Sequence, residues 1–163
     1  MTDIRPVNED DWRAMRDIRL DALREAPAAF GSSYPREAVF TETDWRRRAR
    51  GHGFFAYLPE FRPGPVGLVG AVDEENLGAP GAAQLVSMWV RPRARGRRVG
   101  TALIAAVLSW ARARDMARLN LWVTGSNRPA RLLYERCGFT PTGERQPLPS
   151  DPAQTEIGMT LLL

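Results

Sequence analysis

The chain has 163 residues, of which 44% are hydrophobic and 26% charged, a composition that fits one soluble globular domain with a substantial core. The net charge is +4 and all 23 basic residues are arginine, which excludes a Walker-A phosphate loop and a pyridoxal Schiff base because both need a lysine. One histidine excludes the HExxH zinc motif, and one cysteine, Cys137, excludes an internal disulfide.

The N-terminal segment predicts a helix and then a loop. Its first residues are polar and acidic, unlike a secretory signal, and no apolar run in the chain approaches the roughly 18 residues of a membrane span, so we expect a cytoplasmic protein. A helix is predicted from Asn8, its cap, to about Ala26, with Pro27 ending it. Its apolar stripe comprises Trp12, Met15, Ile18, Ala22 and Leu23. A loop over Ala28 to Pro35 leads to a second helical region, clearest over Thr43 to Arg50.

The middle of the chain predicts three strands. They cover Phe54 to Leu58, Val66 to Val72 and Ala82 to Val90. Turn-rich segments join them, over Pro59 to Pro65 and over Asp73 to Gly81. Connections this short are typical of antiparallel hairpins.

The C-terminal half alternates helices and strands. Helices are predicted over Val99 to Arg114 and Asn127 to Arg136, and strands over Leu119 to Val123, Thr140 to Glu144 and Thr155 to Leu162. A meander followed by strand–helix–strand–helix predicts a mixed α/β sheet. With no internal repeat or long linker, we expect one domain over residues 1–163.

The segment from Arg91 to Thr101 joins a predicted strand to a predicted helix and contains five arginines and two glycines. The first amides of a helix lack intrahelical acceptors and lie at the positive end of its dipole, so such a turn favours phosphate. A solvated surface loop and a nucleic-acid patch are alternatives. The position between a buried strand and a buried helix favours phosphate.

A second distinctive segment runs from Asn127 to Phe139. Pro129 fits the first turn of a helix, and Gly138 fits its C-terminal end. Tyr134 lies next to the apolar face of this helix, where both core packing and a catalytic role are open.

Together these two segments resemble the GNAT superfamily of acyl-CoA N-acyltransferases. The coenzyme A motif of that family, Q/R-x-x-G-x-G/A, is matched by Arg95 and Gly100, whereas Arg98 replaces its middle glycine. Its later motif, N-x-x-A-x-x-L-Y-x-x-x-G-F, is matched at every position, by Asn127, Ala130, Leu133, Tyr134, Gly138 and Phe139.

The resemblance implies an α/β fold, with a mixed, mostly antiparallel twisted sheet, a splayed central strand pair and helices on both faces. It implies acetyl-CoA as co-substrate and no metal. The pantetheine arm is expected to pair with the strand at Met88, Trp89 and Val90, and Asn127 to contact the cofactor. The pyrophosphate is expected on Arg95, Gly96, Arg97, Arg98, Val99, Gly100 and Thr101.

Acyl transfer to an amine needs an acid and a base. Tyr134 is the expected acid for the departing thiolate, and a backbone amide near Met88 to Val90 is the expected oxyanion donor. The base stays open, because the strand Ala82 to Val90 has no carboxylate. The candidates are Glu37, Glu42, Asp44 and His52, while Gln84 and Ser87 could position a water.

The expected acceptor is a small-molecule amine that enters between the N-terminal helices. Phe30 and Tyr34 would bury its apolar body and Glu37 would hold its ammonium, an arrangement unfavourable to a polyanionic acceptor. Acetylation of a protein N-terminus or lysine and a non-catalytic acyl-CoA-binding module are the alternatives. We expect no nucleic-acid or membrane partner, and a homodimer is compatible with the sequence.

Overall fold

A computed structural model describes residues 1–74 and 80–163, which form one seven-stranded sheet with helices packed on it. The helices are α1 (Trp12–Glu25), α2 (Tyr34–Glu37), α3 (Glu42–Ala49), α4 (Val99–Ala113) and α5 (Arg128–Arg136). The strands are β1 (Asp3–Pro6), β2 (His52–Tyr57), β3 (Gly67–Asp73), β4 (Ala82–Val90), β5 (Arg118–Thr124), β6 (Thr140–Leu148) and β7 (Asp151–Leu162).

The strand order is β1-β2-β3-β4-β5-β7-β6, and every neighbouring pair is antiparallel except β4 with β5. This confirms the predicted mixed, mostly antiparallel sheet. Strand β1 was not predicted, because Ile4 is its one large apolar residue; it forms by pairing with the edge of β2. Of the predicted turn over Asp73 to Gly81, residues 75–79 lie outside the described residues.

The start of the first helix follows from local hydrogen bonding. The side chain of Asn8 accepts from the amide of Asp10 at 3.0 Å, and the carboxylate of Asp11 accepts from the amide of Asn8 at 2.9 Å. This capping satisfies amides that the helix itself leaves unpaired. The predicted cap is confirmed, although Glu9–Asp11 is wound as a 3₁₀ turn before α1 begins.

Strands β4 and β5 are splayed. They run parallel but pair only at Ala82 to Gln84 with Arg118 to Asn120. Beyond Gln84, β4 continues along β3 to Val90, while β5 continues along β7 to Thr124. The facing edges of the two strands therefore have backbone groups without ladder partners. This is the predicted splayed central pair.

The sheet separates two hydrophobic cores, because successive side chains of a strand point to opposite faces. Phe55 and Leu68 pack with α1 and α3, whereas their neighbours Ala56 and Val69 pack with α4. Helices thus cover both faces, as predicted. No helix among the described residues is long and apolar enough to cross a membrane.

Candidate active site

The turn between β4 and α4 exposes backbone amides. Gly96 has a φ of +78°, and Arg98, the N-cap of α4, has a φ of +62°. Arg98 gives α4 no side-chain cap, so the first amides of the helix are left without an intramolecular acceptor at its positive end. The turn therefore has the backbone chemistry of an anion site.

Arg98 adopts the left-handed conformation in place of the glycine of the resembled motif. A residue with a β-carbon is strained in this region by about 1–2 kcal/mol, whereas glycine is not. The turn thus keeps a glycine-type backbone although its sequence departs from the motif.

Three of the turn's arginines are held by carboxylates. Arg95 donates to Glu25 at 2.9 Å and to the carbonyl of Val90 at 3.0 Å. Arg91 donates to Asp21 at 2.7 Å, and Arg97 pairs with Glu60. These contacts fix the side chains around the turn and offset part of its positive charge.

A cleft of about 90 Å³ opens where β4 and β5 diverge. Its lining comes from both strands and α5, and includes Ser87, Met88, Trp122, Thr124, Asn127 and Tyr134. The backbone edges left unpaired by the splay border this cleft. Tyr134 lines the cleft beside the middle of β4, and the turn before α4 follows the end of the same strand.

Tyr134 is 5% exposed and lies in the cleft. Its ring packs against Phe139 at a centroid distance of 5.7 Å, and its hydroxyl has no hydrogen-bond partner among residues 1–74 and 80–163. Burial raises the pKa of this hydroxyl far above its ordinary value, with Cys137 adding to the shift. The phenol is therefore protonated at neutral pH and free to donate.

Asn127 caps α5. Its side-chain oxygen accepts from the amide of Ala130 at 3.4 Å, and the residue lines the cleft. Because the oxygen faces the helix, the amide NH₂ group is the part left for a ligand.

A β-bulge marks the point where β4 passes between two cavities. Leu68 pairs with Trp89 and Gly70 with Val86, so Ser87 and Met88 stand opposite one residue of β3. Ser87 has a φ of +58°, and its hydroxyl accepts from Nη1 of Arg19 at 3.3 Å. Bulges of this kind redirect side chains and backbone beside functional sites.

The second cavity has a volume of about 280 Å³ and lies between the sheet and helices α1 and α3. Arg19 and Arg48 line it, and Val86 and Ser87 are shared with the cleft. Gly53 pairs with Gly70 across β2 and β3, on the sheet face that packs against α1 and α3. The missing side chains of these two glycines leave room in the cavity.

The three predicted acceptor residues lie beside this cavity rather than in it. Phe30 is 5% exposed and packs 4.9 Å from the guanidinium of Arg19. Tyr34 accepts a hydrogen bond from Arg24 at 2.9 Å. Glu37 is fully buried. None of the three lines either cavity, so their direct contact with an acceptor is not present in this conformation.

Glu37 instead joins two arginines. Its carboxylate accepts from Nε and Nη2 of Arg19 at 2.9 and 3.0 Å, and it lies 3.0 Å from Nη1 of Arg48. Burial alone would raise the pKa of Glu37, but the bonds and charge of Arg19, helped by Ser32 and Arg48, lower it. An ionised, enclosed carboxylate of this kind is a poor general base.

The other candidate bases are also engaged elsewhere. Glu42 pairs with Arg46 at 2.9 Å on the surface of α3, and Asp44 caps that helix through Thr41. The imidazole of His52 packs 4.9 Å from Trp110, on the α4 face of the sheet. Burial lowers its pKa, with Arg114 contributing, and the residue also lines the second cavity.

Arg19 and Arg48 are the cavity residues that the sequence analysis missed. Arg19 sits inside the apolar stripe of α1, one position after Ile18 and three before Ala22. A charged residue in a buried stripe signals a buried partner, because an unpaired charge in a core is strongly unfavourable. The sequence therefore indicated that Arg19 has a buried partner, but it did not identify Glu37, 18 residues away, as that partner.

Comparison with known proteins agrees with this geometry. The model of the acetyltransferase (GNAT) family matches residues 12–139. A solved GCN5-related N-acetyltransferase from Kribbella flavida superposes with a TM-score of 0.77 at 20% identity, covering 99% of this chain and 98% of that one.

Two relatives are more similar in sequence, but only over part of the chain. Mycothiol acetyltransferase from Beutenbergia cavernae is 45% identical over 67 residues, which are 40% of this chain and 23% of that protein. A putative [ribosomal protein bS18]-alanine N-acetyltransferase from Bacillus subtilis is 34% identical over 64 residues, or 39% of this chain and 42% of that protein. The chain thus matches less than half the length of either relative.

Proposed function

This chain belongs to the acetyltransferase (GNAT) family, whose members use acetyl-CoA as co-substrate, and we propose that it acetylates a small-molecule amine by direct attack in a ternary complex. The observation that carries the proposal is the cleft between β4 and β5, with an amide-rich turn at one end and a buried, protonated tyrosine in its wall. This arrangement supplies an anion site and a proton donor along one strand.

The phosphate end of acetyl-CoA would bind the turn from Arg95 to Thr101. Left-handed Gly96 and Arg98 direct the backbone so that the amides at the start of α4 stay unpaired. Amides at a helix start and arginine side chains are the donors that phosphate oxygens prefer. The pantetheine arm would pair with the free edge of β4 at Met88, Trp89 and Val90, and the Asn127 amide would donate to it.

Tyr134 would serve as the acid. Its pKa is raised, so the hydroxyl keeps its proton at neutral pH and can donate to the departing sulfur. Burial in the same cleft would also raise the pKa of the departing thiol, which makes its thiolate a better proton acceptor. A backbone amide of Met88 to Val90 would stabilise the charge that develops on the carbonyl oxygen.

Among the described residues, no carboxylate lines either cavity, and the imidazole of His52, which lines the second cavity, packs against Trp110. The amine would therefore lose its proton to water, with Ser87 and Gln84 as residues that could orient one. Since an alkyl ammonium has a pKa near ~10, we expect kcat/KM to rise with pH toward that value.

A small acceptor is supported by the second cavity, whose volume of about 280 Å³ is at the lower end for small-molecule sites. Acetylation of a protein N-terminus is the second candidate, supported by the named activity of the Bacillus subtilis relative. The test is to incubate the protein with acetyl-CoA and panels of amines and peptides, measuring thiol release and product mass. Acetylation of peptides alone would replace the small-molecule proposal, and no amine-dependent release from any panel would contradict acetyl transfer.

A further inference from the structure

We propose that the cavity lined by Arg19 and Arg48 binds an anionic group, such as a carboxylate, carried by the acceptor amine. This inference rests on the proposed acetyl transfer and names the chemical class of its acceptor. The cavity shares Val86 and Ser87 with the cleft that holds Tyr134. An amine placed at Ser87 would therefore have the rest of its molecule in reach of the two arginines.

The charges around the cavity are unbalanced. Among the described residues, its lining contains Arg19 and Arg48 and no carboxylate. Glu37, enclosed between the two, offsets one positive charge. Burial lowers the pKa of Arg48, and the positive charges of Arg19 and Arg36 lower it further against the opposing effect of Glu37. An anion would supply the charge that this site lacks.

Arg48 is the donor best placed to receive an anion. Glu37 already occupies Nε and Nη2 of Arg19, leaving Nη1, which makes a long contact of 3.3 Å to Ser87. Arg48 meets Glu37 through Nη1 and makes no further hydrogen bond to the described residues. Its guanidinium lies 5.7 Å from the ring of Trp45, which orients it. A planar, oriented guanidinium suits a carboxylate or phosphate.

The shape of the cavity supports a compact group. Its floor is made by Gly53 and Gly70, and a β-carbon at Gly70 would lie 3.0 Å from Cγ2 of Val86. A side chain at either glycine would fill part of the cavity that Arg19 and Arg48 line. The sequence predicted that an acidic residue, Glu37, would make the acceptor site unfavourable to anions. Because two arginines enclose Glu37, the structure favours an anionic acceptor instead.

The test compares acceptors with and without an anionic group: L-amino acids against their carboxamides, and 2-aminoethylphosphonate against ethanolamine. Because loss of the anion also lowers the amine pKa, rates are compared per neutral amine. We expect wild-type kcat/KM to favour the anionic member of a pair by roughly ten- to a hundredfold, the range of a charge-assisted hydrogen bond. Arg48→Gln should remove this preference, and the readout is the ratio of kcat/KM for the anionic and the neutral member, both measured with the same variant. The pair with the larger preference identifies carboxylate or phosphonate as the group bound.

Arg47→Gln is the matched control, because it removes the same charge from α3 at a side chain that is 71% exposed. It should keep the preference, and Arg48→Lys should keep part of it.

If no amine of the panel is acetylated, binding of N-acetyl amino acids is measured by calorimetry, and Arg48-dependent binding is expected. Equal rates for acids and amides, or selectivity and binding unaffected by Arg48→Gln, would overturn the inference while leaving acetyl transfer intact.

Discussion

Gly100 of α4 lies so close to Leu133 of α5 that a β-carbon at Gly100 would be 2.8 Å from Cδ2 of Leu133. The same β-carbon would be 3.1 Å from Cε of Met88 in β4. Gly100 has no left-handed φ, so close packing rather than backbone conformation requires a glycine here. The start of α4, the free strand edge and the helix that carries Tyr134 therefore meet at one residue.

Replacing Gly100 with alanine should destabilise the protein by about 1–3 kcal/mol, because the added methyl forces Leu133 and Met88 to move. Urea denaturation measures this loss. Gly64→Ala is the control, since a β-carbon there meets nothing within 4 Å. An equal effect of the two substitutions would contradict the packing role of Gly100.

Arg98→Gly should stabilise the protein by roughly 1 kcal/mol, because it relieves a left-handed residue with a β-carbon. The free energy of unfolding from urea titrations measures the gain. Arg93→Gly in the same turn should instead lower stability, since Arg93 is not left-handed and glycine there only adds freedom to the unfolded chain. Destabilisation by Arg98→Gly would mean that the arginine side chain itself holds the turn.

Tyr134→Phe should lower kcat by roughly 10²–10⁴-fold with cofactor affinity unchanged, because the ring still packs against Phe139 while the proton donor is lost. Steady-state kinetics with calorimetry of acetyl-CoA binding separates the two effects. Wild-type turnover in the phenylalanine variant would assign Tyr134 to core packing alone.

Glu37→Gln should destabilise the protein by about 3–5 kcal/mol, because it leaves Arg19 buried without a counter-charge. Glu42→Gln, at an exposed ion pair, should change stability by less than about 1 kcal/mol. The folded-state pKa of Glu37 is lowered, so its contribution is present above the ordinary value of 4.5 and is lost as pH falls through the folded-state pKa. Below pH 4.5, the stability of Glu37→Gln should therefore vary less with pH than that of the wild-type protein, and thermal melts across this range measure the difference.

Much of the fold could be predicted because its signals are local. The apolar stripe of α1, the hairpin strands and the proline and glycine at the ends of α5 each depend on a few neighbouring residues. The splayed strands could be expected only from the family motifs, since hydrophobic pattern does not say where two parallel strands separate.

The site was less predictable where it depends on distant contacts. Arg19 pairs with Glu37, which lies 18 residues further along the chain and on another helix. Glu37, predicted to hold the ammonium of the acceptor, is therefore occupied by the arginines that line the cavity. The bulge at Ser87 arises from the register between β3 and β4, which no local pattern encodes. The left-handed conformation of Arg98 could not be predicted either, because arginine has no preference for that conformation.

Acetyl-CoA bound in the cleft and at the turn before α4 should stabilise the folded protein, and thermal melting with and without the cofactor measures this stabilisation. A ligand at about 100 times its Kd stabilises the folded state by about 2.7 kcal/mol, which corresponds to a rise of roughly 5–10 °C for a chain of this size. We predict a rise of that order at millimolar acetyl-CoA, reduced by Arg95→Glu. An unchanged melting temperature at that concentration would mean that the cleft and the turn do not bind acetyl-CoA.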